Sequence, residues 1–379
     1  MLQLGYVRVA IAAECFLPQR NGVTNSILRI LEHLRACGHE ALVITPGPGP
    51  SSEGGTPVER IRSLPLPLYR DLPVALPTSR IERLLREFSP HIVHLAAPAV
   101  LGPAAAKVAR DMGTPVLGIY QTDFAGFARR YCSGVAEPLM WKVLRRAHRH
   151  VDLTLAPSTS AAWQLSSHGV EPVAIWPRGV NAELFHPSRR STLVHRRLAP
   201  RGEVLVGYVG RLASEKRVKL LQSLRHVPRI KLVVIGDGPA RKRLERRLSD
   251  TQFLGWHSGV DLATLVASLD VFVHTGPHET FCQAIQEALA SGVPVVAPAK
   301  GGPLDLVRHG ENGWLFPPNS PELMAQAVGS LAADSAGREA MGERARVTVE
   351  HRTWKAVNHQ LLAYYDELLG GPYSKELAA

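Results

Sequence analysis

Apolar residues recur along this chain in two alternating rhythms. Short unbroken runs read as strands buried on both faces, and the stretches between them show the spacing of amphipathic helices. Residues 7–13 form the first run, 24–37 a helix that stops at Gly38, and 41–45 a second strand. Residues 46–57, rich in Pro, Gly and Ser, read as a mobile loop. The rhythm resumes with helix 79–88, strand 91–95, helix 99–112, strand 115–120, strand 153–155 and helix 158–168. A polar, basic stretch at 187–202 reads as a linker. Alternation then restarts with strand 204–209, helix 216–224, strand 231–235, helix 239–248 and strands 271–274 and 293–297, before closing helices over 321–369.

Repeated β-α alternation predicts parallel sheets with helices on both faces. The expected fold class is α/β, with two doubly wound Rossmann-like domains. Expected limits are 1–186 for the N-terminal domain, 187–202 for the linker and 203–352 for the C-terminal domain. A last helix at 353–379 is expected to cross back to the N-terminal domain. Two such domains predict a ligand cleft outside the C-terminal ends of the strands.

Length supports the division, since 379 residues exceed one ordinary core. Cys15, Cys37, Cys132 and Cys282 are scattered without a Cys-x-x-Cys pair. That argues against a disulfide framework or a zinc motif and fits a reducing cytosol. No signal peptide is visible at the N-terminus, and no apolar run reaches the about eighteen residues of a membrane span.

The formal charge of +11 suits polyanionic partners: nucleotide phosphates, anionic lipid or nucleic acid. Basic helical stretches lie at 141–150, beginning with Trp141 and Lys142, and at 241–247. Each reads either as a solvated face or as a peripheral membrane contact, where a Lys or Arg contributes about 1 kcal/mol near an anionic surface. No nucleic-acid module or aromatic-basic interleaving is present.

The most informative pair is Glu279 and Glu287, in the run from His278 to Gly292 between a strand and a helix. Eight helical residues turn through about 800°, so the two acids are expected to project to one side. A helix N-terminus favours phosphate, and carboxylates suit sugar hydroxyls, which donate hydrogen bonds. The alternative is a capped surface helix with Glu287 solvated. Gly210-Arg211 ends a strand and Lys216 starts the next helix, so both cations stand where a diphosphate would lie; otherwise they are surface charges.

Asn21-Gly22 reads as a plain turn or as a place where backbone approaches a ligand. Gly236-Asp237-Gly238-Pro239 lacks the third glycine of a dinucleotide fingerprint and fits a tight turn better. Trp256 reads as core, cleft wall or a platform for a base. Gln121 and Asp123 follow a strand and are hydroxyl-binding types. No Asp-x-Asp pair or His-x-x-x-His array is present, so no metal is assigned.

In combination these motifs resemble the family-four retaining glycosyltransferases of the GT-B type. The resemblance spans nearly the whole chain. It rests on Asn21-Gly22, the run from Pro177-Arg178-Gly179 through Phe185-His186-Pro187, Gly210-Arg211 with Glu215-Lys216, and the Glu279/Glu287 pair. Tyr120-Gln121-Thr122-Asp123 and His278 to Gln283 look most like the actinobacterial GDP-mannose-dependent α-mannosyltransferases that act on glycolipids.

The resemblance implies an acceptor-side first domain and a nucleotide-sugar-binding second domain. It implies catalytic roles for Arg211, Lys216 and Glu279: the cations on the diphosphate, the acid on the transferred sugar. Glu287 would bind ribose, and Gly22, Gly210, Phe281 and Cys282 would complete the donor site. Asn21, Gln121 and Asp123 would contact sugar or acceptor. Two departures stand out. Gln121 replaces a histidine of many relatives, which weakens general-base catalysis there. Cys282 replaces a glycine and is expected to offer its backbone N–H rather than thiol chemistry.

The implied reaction is front-face displacement, with the leaving phosphate taking the acceptor's proton. The expected partners are a nucleotide-sugar donor, a lipid-linked acceptor and an anionic membrane surface, without nucleic acid, cofactor or metal. The expected location is cytoplasmic, peripheral at the inner face of the plasma membrane. Other readings are a UDP-sugar-dependent glycolipid glycosyltransferase, a sugar-nucleotide epimerase and a basic nucleic-acid-binding protein.

Overall fold

Why the apolar runs alternate so strictly is visible in β1 (Arg8–Ala12). Val9 and Ile11 point into one core cluster, Ala10 and Ala12 into another, so the strand is buried on both faces. Full burial of one such isoleucine stabilises the fold by about 1.5–3 kcal/mol. A computed structural model describes residues 5–19, 21–66, 69–75, 79–123, 126 and 136–370, with backbone alone for 64–66, 69–75 and 136. It divides into two compact units, Met1–Pro177 with Lys355–Ala379, and Arg178–Trp354.

In the first unit the strands are β1, β2 (Glu40–Pro46), β3 (Ser52–Glu53), β4 (Thr56–Ile61), the separate ribbon β5 (Ser63–Leu66) and β6 (Tyr69–Ala75), β7 (Ile92–Leu95), β8 (Val116–Ile119), β9 (Leu153–Ala156) and β10 (Val173–Ile175). The main sheet runs β10-β9-β8-β7-β1-β2-β4-β3, parallel throughout except for β3 against β4. Helix Gly22–Ala36 covers one face through Ile27, Ile30 and Leu34, and helix Leu101–Asp111 the other through Leu101 and Ala105.

The second unit adds β11 (Val204–Val209), β12 (Ile230–Ile235), β13 (Gln252–Gly255), β14 (Val271–Val273), β15 (Val295–Pro298) and β16 (Gly313–Phe316). Its sheet runs β13-β12-β11-β14-β15-β16 and is wholly parallel. Both units are doubly wound α/β, as the alternation predicts. In each, strand order reverses beside the first strand, at β1/β7 and at β11/β14. Such a switch point opens a crevice at the C-terminal strand ends.

The domain limits need correction. The chain enters the second unit at Arg178, before the expected end at 186. Residues 187–202 are no linker. They hold a 3-10 turn, Pro187–Arg189, and a helix, Thr192–Leu198, whose Leu198 is buried with Leu205 and Phe272. The polar residues there pin rather than tether: Arg190 donates to Leu269 O at 2.8 Å and Asp270 Oδ1 at 2.5 Å, and His195 Nε2 lies 2.7 Å from Asp270 Oδ2.

Helix Trp354–Leu368 starts at the boundary, and Lys355–Ala379 counts with the first unit. Its Tyr365 hydroxyl meets His94 Nδ1 at 2.5 Å, and Trp176 Nε1 donates to Val357 O at 2.9 Å. The expected loop at 46–57 carries β3 and the start of β4. The expected helix 216–224 is 3-10 over Val218–His226, entered through Arg217 at φ 50°.

Candidate active site

At the second unit's switch point two loops meet. The loop after β11 passes Gly210 and Arg211 to a 3-10 turn, Ser214–Lys216; the loop after β14 carries His274 to Cys282. Thr275 Oγ1 donates to Lys216 O at 2.6 Å and ties them together. The first loop is braced by the next turn, since Leu212 N donates to Asp237 O at 2.9 Å. Gly236 packs on Gly210 so closely that a Cβ there would stand 2.1 Å from the Gly210 carbonyl oxygen. This is the tight turn expected of Gly236-Asp237-Gly238-Pro239.

Glu279 is the hub. Its Oε1 accepts from Lys216 Nζ at 2.5 Å and lies 3.1 Å from His274 Nε2, while its backbone carbonyl accepts from Gly302 N at 2.8 Å. The His274 ring stacks on Tyr208, with centroids 6.1 Å apart and planes 10° from parallel. Burial opposes charge on all three groups, but mutual attraction overrides it. The Lys216 and His274 charges and hydrogen bonds hold Glu279 well below the usual carboxylate range. Lys216 is raised by Glu279 against the pull of burial. His274 is likewise raised against burial, to about 10, by Cys282 and Glu279. Lys216 and His274 thus both favour the charged form of Glu279.

Glu287 has a different setting, on helix Gln283–Ala290. Burial raises its carboxyl to about 7, against the opposing influence of the Arg178 charge and a Gln283 hydrogen bond. Arg178 is lowered to about 10 by burial, with Glu287 opposing, and its guanidinium lies over the Trp354 ring at 5.9 Å. Gln283 Nε2 and Gln286 Nε2 donate to Gly179 O and Arg178 O, each at 3.0 Å, fixing the Arg178 segment to the helix. The helix begins only at Gln283. The angular relation expected from eight helical steps therefore does not apply, because Glu279 lies outside the helix.

Other expected residues fall as follows. Arg211 is exposed, and its carbonyl accepts from the Tyr208 hydroxyl at 3.4 Å. Phe281 is 3% exposed and packs in the core, so its side chain is occupied there. Cys282 has φ 83°, a left-handed conformation that glycine adopts freely, which fits the glycine of relatives. Its thiol is not set aside from the site, since it lies among His274 and Glu279. Trp256 is 69% exposed, which removes the core reading.

In the first unit, Asn21 caps the helix that Gly22 begins: Asn21 Oδ1 accepts from Thr24 N at 2.9 Å. Gln121 Nε2 donates to Ala96 O at 3.0 Å, and Asp123 Oδ1 accepts from Gly126 N at 2.7 Å. These contacts give all three local structural work at the C-terminal strand ends. Sequence reasoning missed Glu14, buried just after β1, whose Oε1 accepts from the N–H groups of Ala99, Val100 and Gly102 at 2.9, 2.7 and 3.1 Å. It also missed His274 and Arg178. The signal for Glu14 and His274 was a polar residue directly after an apolar strand.

The basic stretches resolve differently. In helix Ala136–Ala147, Trp141 is 5% exposed and stacks on His168 with ring centroids 3.8 Å apart. Trp141 therefore cannot serve as an amphipathic anchor. Leu139 and Val143 are exposed instead, with Lys142 and Arg146 on the same helical face. In helix Arg241–Arg247, Arg241 pairs with Asp237 and Glu245 at 2.9 and 2.8 Å, and Leu244 is buried. Among the described residues no helix is long and apolar enough to cross a membrane.

Residues 20–184 match the family described as Glycosyltransferase Family 4, and residues 191–348 match glycosyl transferases group 1. The GDP-mannose-dependent alpha-mannosyltransferase of Mycolicibacterium smegmatis is 45% identical over 371 residues, covering 96% of this chain and 98% of that protein. Its namesake in Corynebacterium glutamicum is 44% identical over 369 residues, covering 96% and 89%. Sulfoquinovosyl transferase SQD2 of Arabidopsis thaliana is 33% identical over 355 residues, covering 90% and 69%. The solved structure of Anabaena Alr3699/HepE with UDP has the same fold, with a TM-score of 0.77 at 18% identity, covering 95% of this chain and 100% of that one. With strands, switch point and relatives in agreement, the chain belongs to the family-four glycosyltransferases of the GT-B fold.

Proposed function

We propose that the chain transfers mannose from GDP-mannose to a lipid-linked acceptor with retention of configuration. The observation that carries this reading is the Lys216–Glu279–His274 cluster at a parallel-sheet switch point, in a chain 44% and 45% identical to GDP-mannose-dependent mannosyltransferases. The anomeric carbon parts from its phosphate oxygen while the acceptor hydroxyl bonds to the same face. The hydroxyl proton passes to the departing phosphate. Lys216 neutralises the growing charge, and Arg211 swings onto the diphosphate. Glu279 orients sugar hydroxyls and holds the Lys216 ammonium in place. Glu287 receives ribose hydroxyls, and Gly210 and the Cys282 backbone line the donor.

No metal takes part in transfer: the charge that a metal would supply comes from Lys216 and Arg211. The acceptor arrives from the inner face of the plasma membrane, where helix Ala136–Ala147 presents Leu139, Val143, Lys142, Arg145 and Arg146. A donor screen with GDP- and UDP-sugars, using total membrane lipid as acceptor and run with and without EDTA, tests the reading. Mannosyl transfer from GDP-mannose that persists in EDTA is expected. Exclusive use of a UDP-sugar, epimerisation without transfer, or loss of activity in EDTA would each overturn the corresponding part.

A further inference from the structure

We propose that His274, Glu279 and Cys282 form a binding site for a borderline transition-metal ion, with zinc the best fit. One ligand atom from each lies within 4.8 Å of the others, and among the described residues this is the group that brings three such donors together. Ligands about 2.0–2.3 Å from one zinc ion stand roughly 3.5 Å apart, so a contraction of about one ångström completes the site. Imidazole nitrogen, thiolate and carboxylate match zinc, whereas calcium and magnesium take oxygen ligands.

The surroundings already hold the donors. Tyr208 stacks on the His274 ring, and Gly302 N fixes the Glu279 carbonyl at 2.8 Å. Such supporting contacts orient ligands and add to affinity. Three protein ligands leave a fourth position for water or a ligand oxygen. On binding, Cys282 and the charged His274 each give a proton to solvent and bond as thiolate and neutral imidazole.

The ion is not a cofactor here. It competes with Lys216, whose Nζ contacts the same carboxylate at Glu279 Oε1. Its occupancy frees the lysine and fills the place assigned to the donor sugar, so the metal inhibits. That last consequence rests on the proposed function; the site itself does not.

Cobalt(II) titration of the reduced full chain, without nucleotide, tests it. A near-ultraviolet thiolate-to-cobalt band should saturate at one ion per chain and bleach when zinc is added. Cys282→Ser should abolish the band while keeping the wild-type circular dichroism spectrum. A chain with Cys15, Cys37 and Cys132 replaced by serine should keep it. His274→Gln should weaken zinc binding by about tenfold or more, read against a chromophoric chelator. No band, or a band that survives Cys282→Ser, would overturn the site. Cobalt affinity unchanged by saturating GDP-mannose would overturn the inhibitory role while leaving the site standing.

Discussion

The ammonium of Lys216 stands 2.5 Å from Glu279 Oε1, across 63 residues of chain. Two groups that invite separate assignments, one to phosphate and one to sugar, are therefore coupled. On the proposed function, a diphosphate at Lys216 would compete with Glu279, whose charge is also held by His274 at 3.1 Å.

Lys216→Ala should lower turnover by about 10²-fold or more, on the order of 3 kcal/mol. Glu279→Gln should do likewise, and the double variant should lose less than the product of the two. The expected coupling is about 0.5–3 kcal/mol. Arg211→Ala, at an exposed side chain, should also lower turnover but show no coupling to Glu279. A full kinetic cycle checks this, and strict additivity between Lys216 and Glu279 would show that the ion pair is idle in catalysis.

The two glutamates should separate in GDP affinity, read by calorimetry. Glu279→Gln removes a competitor for Lys216, so GDP should bind at least as tightly as in the unaltered chain. Glu287→Gln removes the proposed ribose acceptor, so GDP should bind more weakly. Equal weakening in both would dismiss this division of roles.

Burial raises Glu287 to about 7 in the folded chain, above its ordinary value of 4.5. The folded state thus holds a proton that the unfolded state has released between these limits. Its contribution to stability is complete below the unfolded value and declines as pH rises through the folded one. Replacing it with glutamine removes that decline. The melting temperature of Glu287→Gln relative to the unaltered chain should climb between about pH 5 and about pH 8. A flat difference across that range would mean that Glu287 is ionised throughout.

Much of the fold was legible because buried parallel strands are unbroken apolar runs. β1 and β11 stand out for that reason. β10 and β13 did not, being short and only half-buried along their length. Lys216 and Glu279 were legible as residue types at strand ends, but their contact needs β11 and β14 to be neighbours, which pattern alone does not give. Cys282 was legible as a departure from glycine; its nearness to His274 required the turn. Trp141 was misread because a tryptophan beside arginines fits a membrane edge and a core equally well until its neighbours are known.

Replacing Leu139, Lys142, Val143 and Arg146 together with polar uncharged residues should lower binding to anionic liposomes. Added salt should weaken the binding of the unaltered chain. Turnover of a short-chain soluble acceptor should survive the replacement. Unchanged liposome binding by a folded variant would move the membrane contact elsewhere.

The first unit is interrupted: the chain leaves it at Pro177 and rejoins it at Lys355. Tyr365 and Val357 are buried parts of its core, while Val180 and Thr353 bridge the two ends of the second unit. During synthesis, then, the residues that emerge first are completed last. The second unit can close as soon as its own ends meet, whereas the first must wait, its sheet built but one helix short, until helix Trp354–Leu368 leaves the ribosome. A stop codon near residue 353 would accordingly damage the half of the protein most distant from it in sequence.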